Sequence, residues 1–269
     1  MTPEQDQIEL VRSYLDRMRA MVRAFGIYTR NTAPYLGDHV VFGLLSKAFS
    51  LSDAAMVLIA NEHPDEAFGL ARSLVECAAN LRYITQDRNE FSARALAFAE
   101  FFFKERQFWL FHAKDFISDP AILAELDKYA DENGIIPNSK PASAHWSGIK
   151  GFVWAVCNMS HPLDGAAYEL RHRKIEFATE YHQTSAFVHC SFPAIDTLVP
   201  EEGVVYEPRF KSEGKEQEGQ KTLYTIVQFV HYAVHYTLYA MRVEDASPVE
   251  DLFRDTLSQL HPIQRLHRP

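Results

Sequence analysis

Residues Thr222 to Met241 form a run of twenty without Asp, Glu, Lys or Arg, yet the run holds Gln228, His231, His235 and four tyrosines. An uncharged stretch of that length must leave water, either as a membrane span or as the middle helix of a bundle. Imidazoles, an amide and phenols are costly in hydrocarbon and ordinary in a protein core, where each finds a partner. The run therefore predicts a central buried helix, no membrane contact, and other helices to surround it.

The rest of the chain supplies those helices. Ile8, Val11, Leu15, Met18, Val22 and Phe25 recur at intervals of 3, 4, 3, 4 and 3, the apolar seam of an amphipathic N-terminal helix within residues 1–30. The seam is too short to define a coiled coil. It suits packing on the body of the protein, or a homo-dimer or oligomeric scaffold built through this helix. Further helices are expected over 38–60, 64–85, 90–116, 121–131, 146–156, 165–192, 222–241 and 248–260. Pro64 suits a first helical position, and Asp65 and Glu66 suit the positive end of the helix dipole. Gly134 stops the fifth helix, residues 135–145 read as a loop, and Pro193 ends the long helix before it. Residues 200–220, "PEEGVVYEPRFKSEGKEQEGQ", read as an exposed, mobile insertion. No repeat or linker interrupts the pattern, so the expectation is a single all-α domain over 1–269, a multi-helix bundle.

A net charge of −9 and a pI near 5.7 argue against a broad nucleic-acid surface, which needs a basic face. Cys77, Cys157 and Cys190 are widely spaced in apolar surroundings, with no C-x-x-C. They read as buried, reduced thiols of a cytoplasmic protein. The start, "MTPEQDQIEL", is acidic and polar and does not resemble a signal peptide.

Two polar stripes interrupt otherwise apolar helices. The helix "DEAFGLARSLVECAANLRYIT" is apolar around most of its circumference, but Arg72, Glu76 and Asn80 lie four apart on one face. On the helix over 165–192, Tyr181, Ser185 and His189 do the same. Pro193 has no N–H, so it frees the carbonyl of His189 beside that imidazole. If the two helices are neighbours, Glu76 can hold His189 in one tautomer and Arg72 can bind an anion or Tyr181. Arg72, Glu76 and Asn80 are then the candidate ligand-binding residues. Tyr181, Ser185 and His189 are the candidate catalytic residues, His189 serving as acid and base. A hydrogen-bond network that only satisfies buried polar groups explains the same residues, and both explanations stand at this level.

Three segments in order, "ARSLVECAANLRYI" (71–84), "HWSGIK" (145–150) and "EYHQTSAFVHCS" (180–191), resemble the bacterial domain-of-unknown-function family numbered 5677. The resemblance spans residues 40 to 195. It implies an α-helical domain whose characteristic residues map to Arg72, Glu76, Trp146, Tyr181, Ser185 and His189, and it carries no activity with it.

Other constellations are weaker. The R-x(4–6)-H signature of HEPN-like helical nucleases occurs at Arg106/His112 and at Arg254/His261, about as often as composition alone gives. Arg254 and His261 are the better pair, because a polar residue follows the arginine. His231 and His235 lie i,i+4 and could face a metal, but their aromatic neighbours favour histidines in a core. Glu169 and His172 make a lone E-x-x-H where a di-metal bundle wants two. The reading is no metal and no cofactor. There is no glycine-rich phosphate loop and no G-x-S-x-G elbow. "RHRK" (171–174), the one dense basic cluster, reads as a solvated helix turn. Two functions remain. One is a binding or regulatory module for a small anionic ligand or a protein partner. The other is an RNA- or nucleotide-processing enzyme of a HEPN-like toxin or defence type, so catalysis is left open.

Overall fold

The computed structural model describes residues 3–25, 36–139 and 216–260. These residues form helices and no strand: α1 Pro3–Ala24, α2 Leu36–Ala60, α3 Pro64–Thr85, α4 Phe91–Phe116, α5 Pro120–Glu132, α6 Glu216–Ala240 and α7 Ser247–Leu260. The protein is all-α, as its periodicity predicts. Helices expected over 146–156 and 165–192 lie outside the described residues.

The uncharged run becomes α6, and α6 is the centre of the bundle. It packs against α1, α2, α3 and α7. Leu223, Ile226, Val227, Phe229, Val230, Tyr232, Ala233 and Val234 are buried, so apolar contact surrounds it on most sides. Each large side chain of this kind contributes roughly 1.5–3 kcal/mol of gross burial energy, against which chain entropy must be set. Helix α3, the other helix apolar nearly all round, lies between α2 and α6 and packs more extensively on those two than on α4.

The N-terminal seam is buried within this chain. Ile8, Val11, Leu15, Met18 and Val22 join the core, and α1 packs against α2, α6 and α7. Tyr14 adds a fixed point, donating its hydroxyl hydrogen bond to the carbonyl of Val227 at 3.1 Å. A second copy would therefore meet α1 on its outward, charged face.

Two boundaries differ from the sequence reading. The charged insertion does not extend to residue 220, because residues 216–220 are the first turns of α6. Glu216, Gln217 and Glu218 are residue types that form helices readily. The remainder of 200–220 lies outside the described residues. Helix α1 ends at Ala24, and residues 26–30 of the expected N-terminal helix also lie outside. Gly134 does end the fifth helix, with φ +62°.

Among the described residues one helix is long and apolar enough to cross a membrane, Gly37–Ala60, rather than the run in α6. Its inner residues Val41, Leu45, Ala48 and Ala55 are buried in the bundle.

The distal half of α4 and all of α5 form an arm. Among the described helices α5 packs on α4 alone. Asp119 caps α5, accepting from the Ala121 N–H at 2.9 Å, and Lys114 pairs with Asp127 across the arm. The Asn138 N–H then donates to the Gln107 carbonyl at 3.1 Å, which returns the chain to the middle of α4.

Candidate functional site

The first polar stripe is built by α3. Pro64 begins the helix and Asp65 and Glu66 occupy its first turn, as their chemistry dictates. Ala67, Ala71, Leu74, Val75, Ala78 and Leu81 fix the buried faces. The remaining strip carries Arg72, Glu76 and Asn80, none of them fully exposed. Arg72 Nη2 stands 2.9 Å from Glu76 Oε1, with the side chains 15% and 34% exposed. The order, arginine before glutamate at i,i+4, is the less favourable one on a helix, since it works against the dipole. A half-buried pair in that order adds little to stability for the desolvation it requires.

Charge around the stripe is legible at Cys77. Burial pushes its thiol up to about 12, the Glu76 carboxylate adds to the rise, and Lys47 of α2 opposes it. Glu76 and Lys47 are thus both within electrostatic reach of one thiol, at the seam of α2 and α3. Further along α3, the Arg82 guanidinium lies 5.5 Å from the centre of the Tyr236 ring on α6. Arg94 of α4 covers the Tyr83 ring at 4.6 Å and donates to the Tyr83 carbonyl at 2.7 Å. Arginine on aromatic faces therefore ties α3 to both neighbours.

Tyr181, Ser185 and His189, the proposed partners of this stripe, lie outside the described residues, as do Trp146, the His189 carbonyl, the Glu169/His172 motif and His261. Of the nuclease pair, Arg254 is on the outer face of α7, half-exposed, with Nη1 3.5 Å from Asp251 Oδ1. Of the weaker pair, Arg106 stacks over Tyr129 at 5.2 Å, and His112 Nδ1 is 3.2 Å from Asp115 Oδ2.

A second polar centre joins α6 to α7. His235 Nδ1 is 3.2 Å from Glu250 Oε1, and His231 Nε2 is 3.4 Å from Glu250 Oε2. His231 is fully buried and stacks on Phe253, centroids 4.0 Å apart and planes 13° apart. The Glu250 charge reaches Tyr14 as well. Burial raises the Tyr14 hydroxyl well above the usual phenol range, and Glu250 raises it further. The aromatic surroundings expected for the two histidines are present, with Tyr232 and Tyr236 stacked beside them, centroids 6.1 Å apart. Among the described residues no group of three or more His, Cys, Asp or Glu is arranged to hold a metal ion. Sequence reading missed Glu250 because it reaches the histidines only across the α6–α7 turn. The available signal was position: an acid in the first turn of a helix that starts at Ser247.

A family model described as a family of unknown function (DUF5677) matches residues 38–203. That range takes in α2, α3, α4, α5 and all three resembling segments. Neither the curated proteins nor the solved structures give a match.

Proposed function

We propose, for a chain that belongs to the DUF5677 family of unknown function, a binding or regulatory module that holds a small anionic ligand or an anionic group of a protein partner at Arg72. The observation that supports this is the Arg72–Glu76 pair at 2.9 Å on a helix whose other residues are mostly buried. Removing one member of such a pair is costly, while replacing both by apolar groups is often harmless. Selection for stability alone has little reason to keep it there. Arginine offers five N–H donors in a fixed fork, so one edge can stay on Glu76 while another meets a carboxylate or phosphate. Asn80 extends the same strip with an amide. Tyr181, Ser185 and His189 are proposed as the facing half of the site, His189 taking the acid–base role if chemistry occurs. The cytoplasm is the proposed location, in keeping with the buried free thiol of Cys77.

The test is native mass spectrometry of the purified full chain, compared with its denatured mass. The expected result is a small anionic species carried by the wild type and missing from Arg72→Gln. Equal native and denatured masses for the wild type, with no anion retained, would sink this reading.

The second reading, RNA or nucleotide processing, draws on Arg254, whose half-exposed guanidinium can reach a phosphate. An RNA cleavage assay on His189→Ala and His261→Ala checks it. Unchanged cleavage by both variants excludes these histidines, and absence of cleavage by the wild type removes the reading.

A further inference from the structure

Helix α1 packs less on α2 than on α6 and α7, and an open cleft of about 420 Å³ lies between α1 and α2. That volume is within the range of small-molecule sites, about 300–1,000 Å³. Its lining follows from two helical stripes. On α1, Arg19 and Arg23 flank Val22 of the buried seam. On α2, Ser46, Ser50 and Asp53 fall four and three apart, on one face with Phe49.

One side of the cleft is fixed. Arg19 Nη2 donates to both oxygens of the Asp53 carboxylate at 2.5 and 2.6 Å, and Nη1 donates to Asp16 at 3.0 Å. The same guanidinium lies 5.0 Å from the centre of the Phe49 ring. Two acids and a ring therefore engage Arg19, and its pairing with Asp53 ties α1 to α2. The other polar groups of the lining are unengaged. Among the described residues Arg23 has no ion pair, and the Ser46 and Ser50 hydroxyls have no hydrogen-bond partner. Helical hydroxyls commonly return to the carbonyl four residues back, and those of Ser52, Thr85, Thr237 and Thr256 do so here. Ser46 and Ser50 make no such bond, so both hydroxyls are available to a ligand.

Charge narrows what that ligand is. Two guanidiniums against the Asp53 carboxylate leave the lining one positive charge, in a chain of net charge −9. A single negative charge balances it, and a second would be repelled by Asp53. Phe49 and Val22, both buried, add apolar surface to the lining. We propose that the α1–α2 cleft, built without any residue of α3, is a separate ligand site for a monocarboxylate with an apolar body. Arg23 holds the carboxylate through its forked N–H donors, Ser46 and Ser50 donate to the same group, and the body rests on Phe49 and Val22.

Saturation-transfer NMR on the full chain tests this, with phenylacetate as the probe. The expected result is transfer to the ring protons, with affinity about tenfold or more above that for acetate, which lacks the body, and for phenyl phosphate, which carries a second charge. Arg23→Gln and Ser46→Ala/Ser50→Ala should each weaken phenylacetate about tenfold or more. Arg72→Gln should leave it unchanged, which separates this cleft from the anion site on α3. Arg23, Ser46 and Ser50 are exposed, so both variants should keep the thermal midpoint of the wild type; should one of them fail to fold, the other decides. No transfer to phenylacetate would overturn the proposal. Equal binding of phenyl phosphate, binding undiminished in the folded Arg23 or serine variants, or loss in Arg72→Gln instead would also overturn it.

Discussion

Nδ1 of His235 on α6 stands 3.2 Å from Oε1 of Glu250 on α7. The second oxygen of the same carboxylate meets the buried His231, so one acid bridges two imidazoles one turn apart. Helix α7 is short, and its apolar grip rests on Val249, Leu252 and Phe253. Glu250 is 13% exposed, and deleting it removes the acceptor of His235 Nδ1 and the carboxylate 3.4 Å from the buried His231. Glu250→Ala should therefore cost about 2 kcal/mol, and Glu250→Gln, which keeps an acceptor oxygen, less than half of that. Urea unfolding followed by circular dichroism measures both. Equal losses for the two variants would show that the acceptor does not matter.

Two buried acids predict a weakness toward alkali. The Cys77 thiol is pushed from its ordinary 9.0 to about 12, and Tyr14 is raised above its ordinary 10.0. A group whose pKa is raised by folding contributes stability that is intact below its unfolded value and is lost as pH rises through the folded one. Stability should hold from pH 7 to 9 and fall between about pH 9 and 12. Cys77→Ala combined with Tyr14→Phe should flatten that fall, at the expense of the 3.1 Å bond to Val227 at neutral pH. Urea midpoints at pH 7.5 and 10.5 decide it, and an equally steep fall in the double variant contradicts the assignment.

Gly37 and Gly43 sit in the same helix and should respond oppositely to alanine. A Cβ at Gly37 would come 2.4 Å from the Phe91 ring, whereas at Gly43 it meets nothing within 4 Å. Gly37→Ala should cost about 1–3 kcal/mol through overpacking. Gly43→Ala should gain roughly 0.5–1 kcal/mol from helix propensity. Thermal unfolding of the two variants checks the contrast, and Phe91→Leu should relieve the Gly37→Ala loss.

Much of the bundle was legible in the sequence because its signals are local. Pro64 with Asp65 and Glu66 marks the start of α3, and the structure begins the helix at Pro64 and ends it at Thr85, as the periodicity indicates. The uncharged run foretold the central position of α6. The start of α6 was not legible, because "EQEGQ" is as compatible with a solvated loop as with a polar first turn. Glu250 was invisible for a different reason. Its partners lie across a turn and are chosen by packing angle, which no spacing rule encodes. The Arg72–Glu76 pair could be read as an i,i+4 contact, because helix spacing brings the two side chains within reach, and they meet at 2.9 Å. Its facing half, Tyr181, Ser185 and His189, lies beyond the described residues, so that half of the site stays a reading of the sequence.

If the proposed binding role of the Arg72–Glu76 stripe holds, the pair is dispensable for stability. Arg72→Met/Glu76→Leu replaces both charges by apolar groups of similar size. Equilibrium urea unfolding of this double variant should lie within about 1 kcal/mol of the wild type, because a pair replaced whole leaves no uncompensated charge. A loss of about 3 kcal/mol or more would show that the stripe holds the fold together, and would contradict the account.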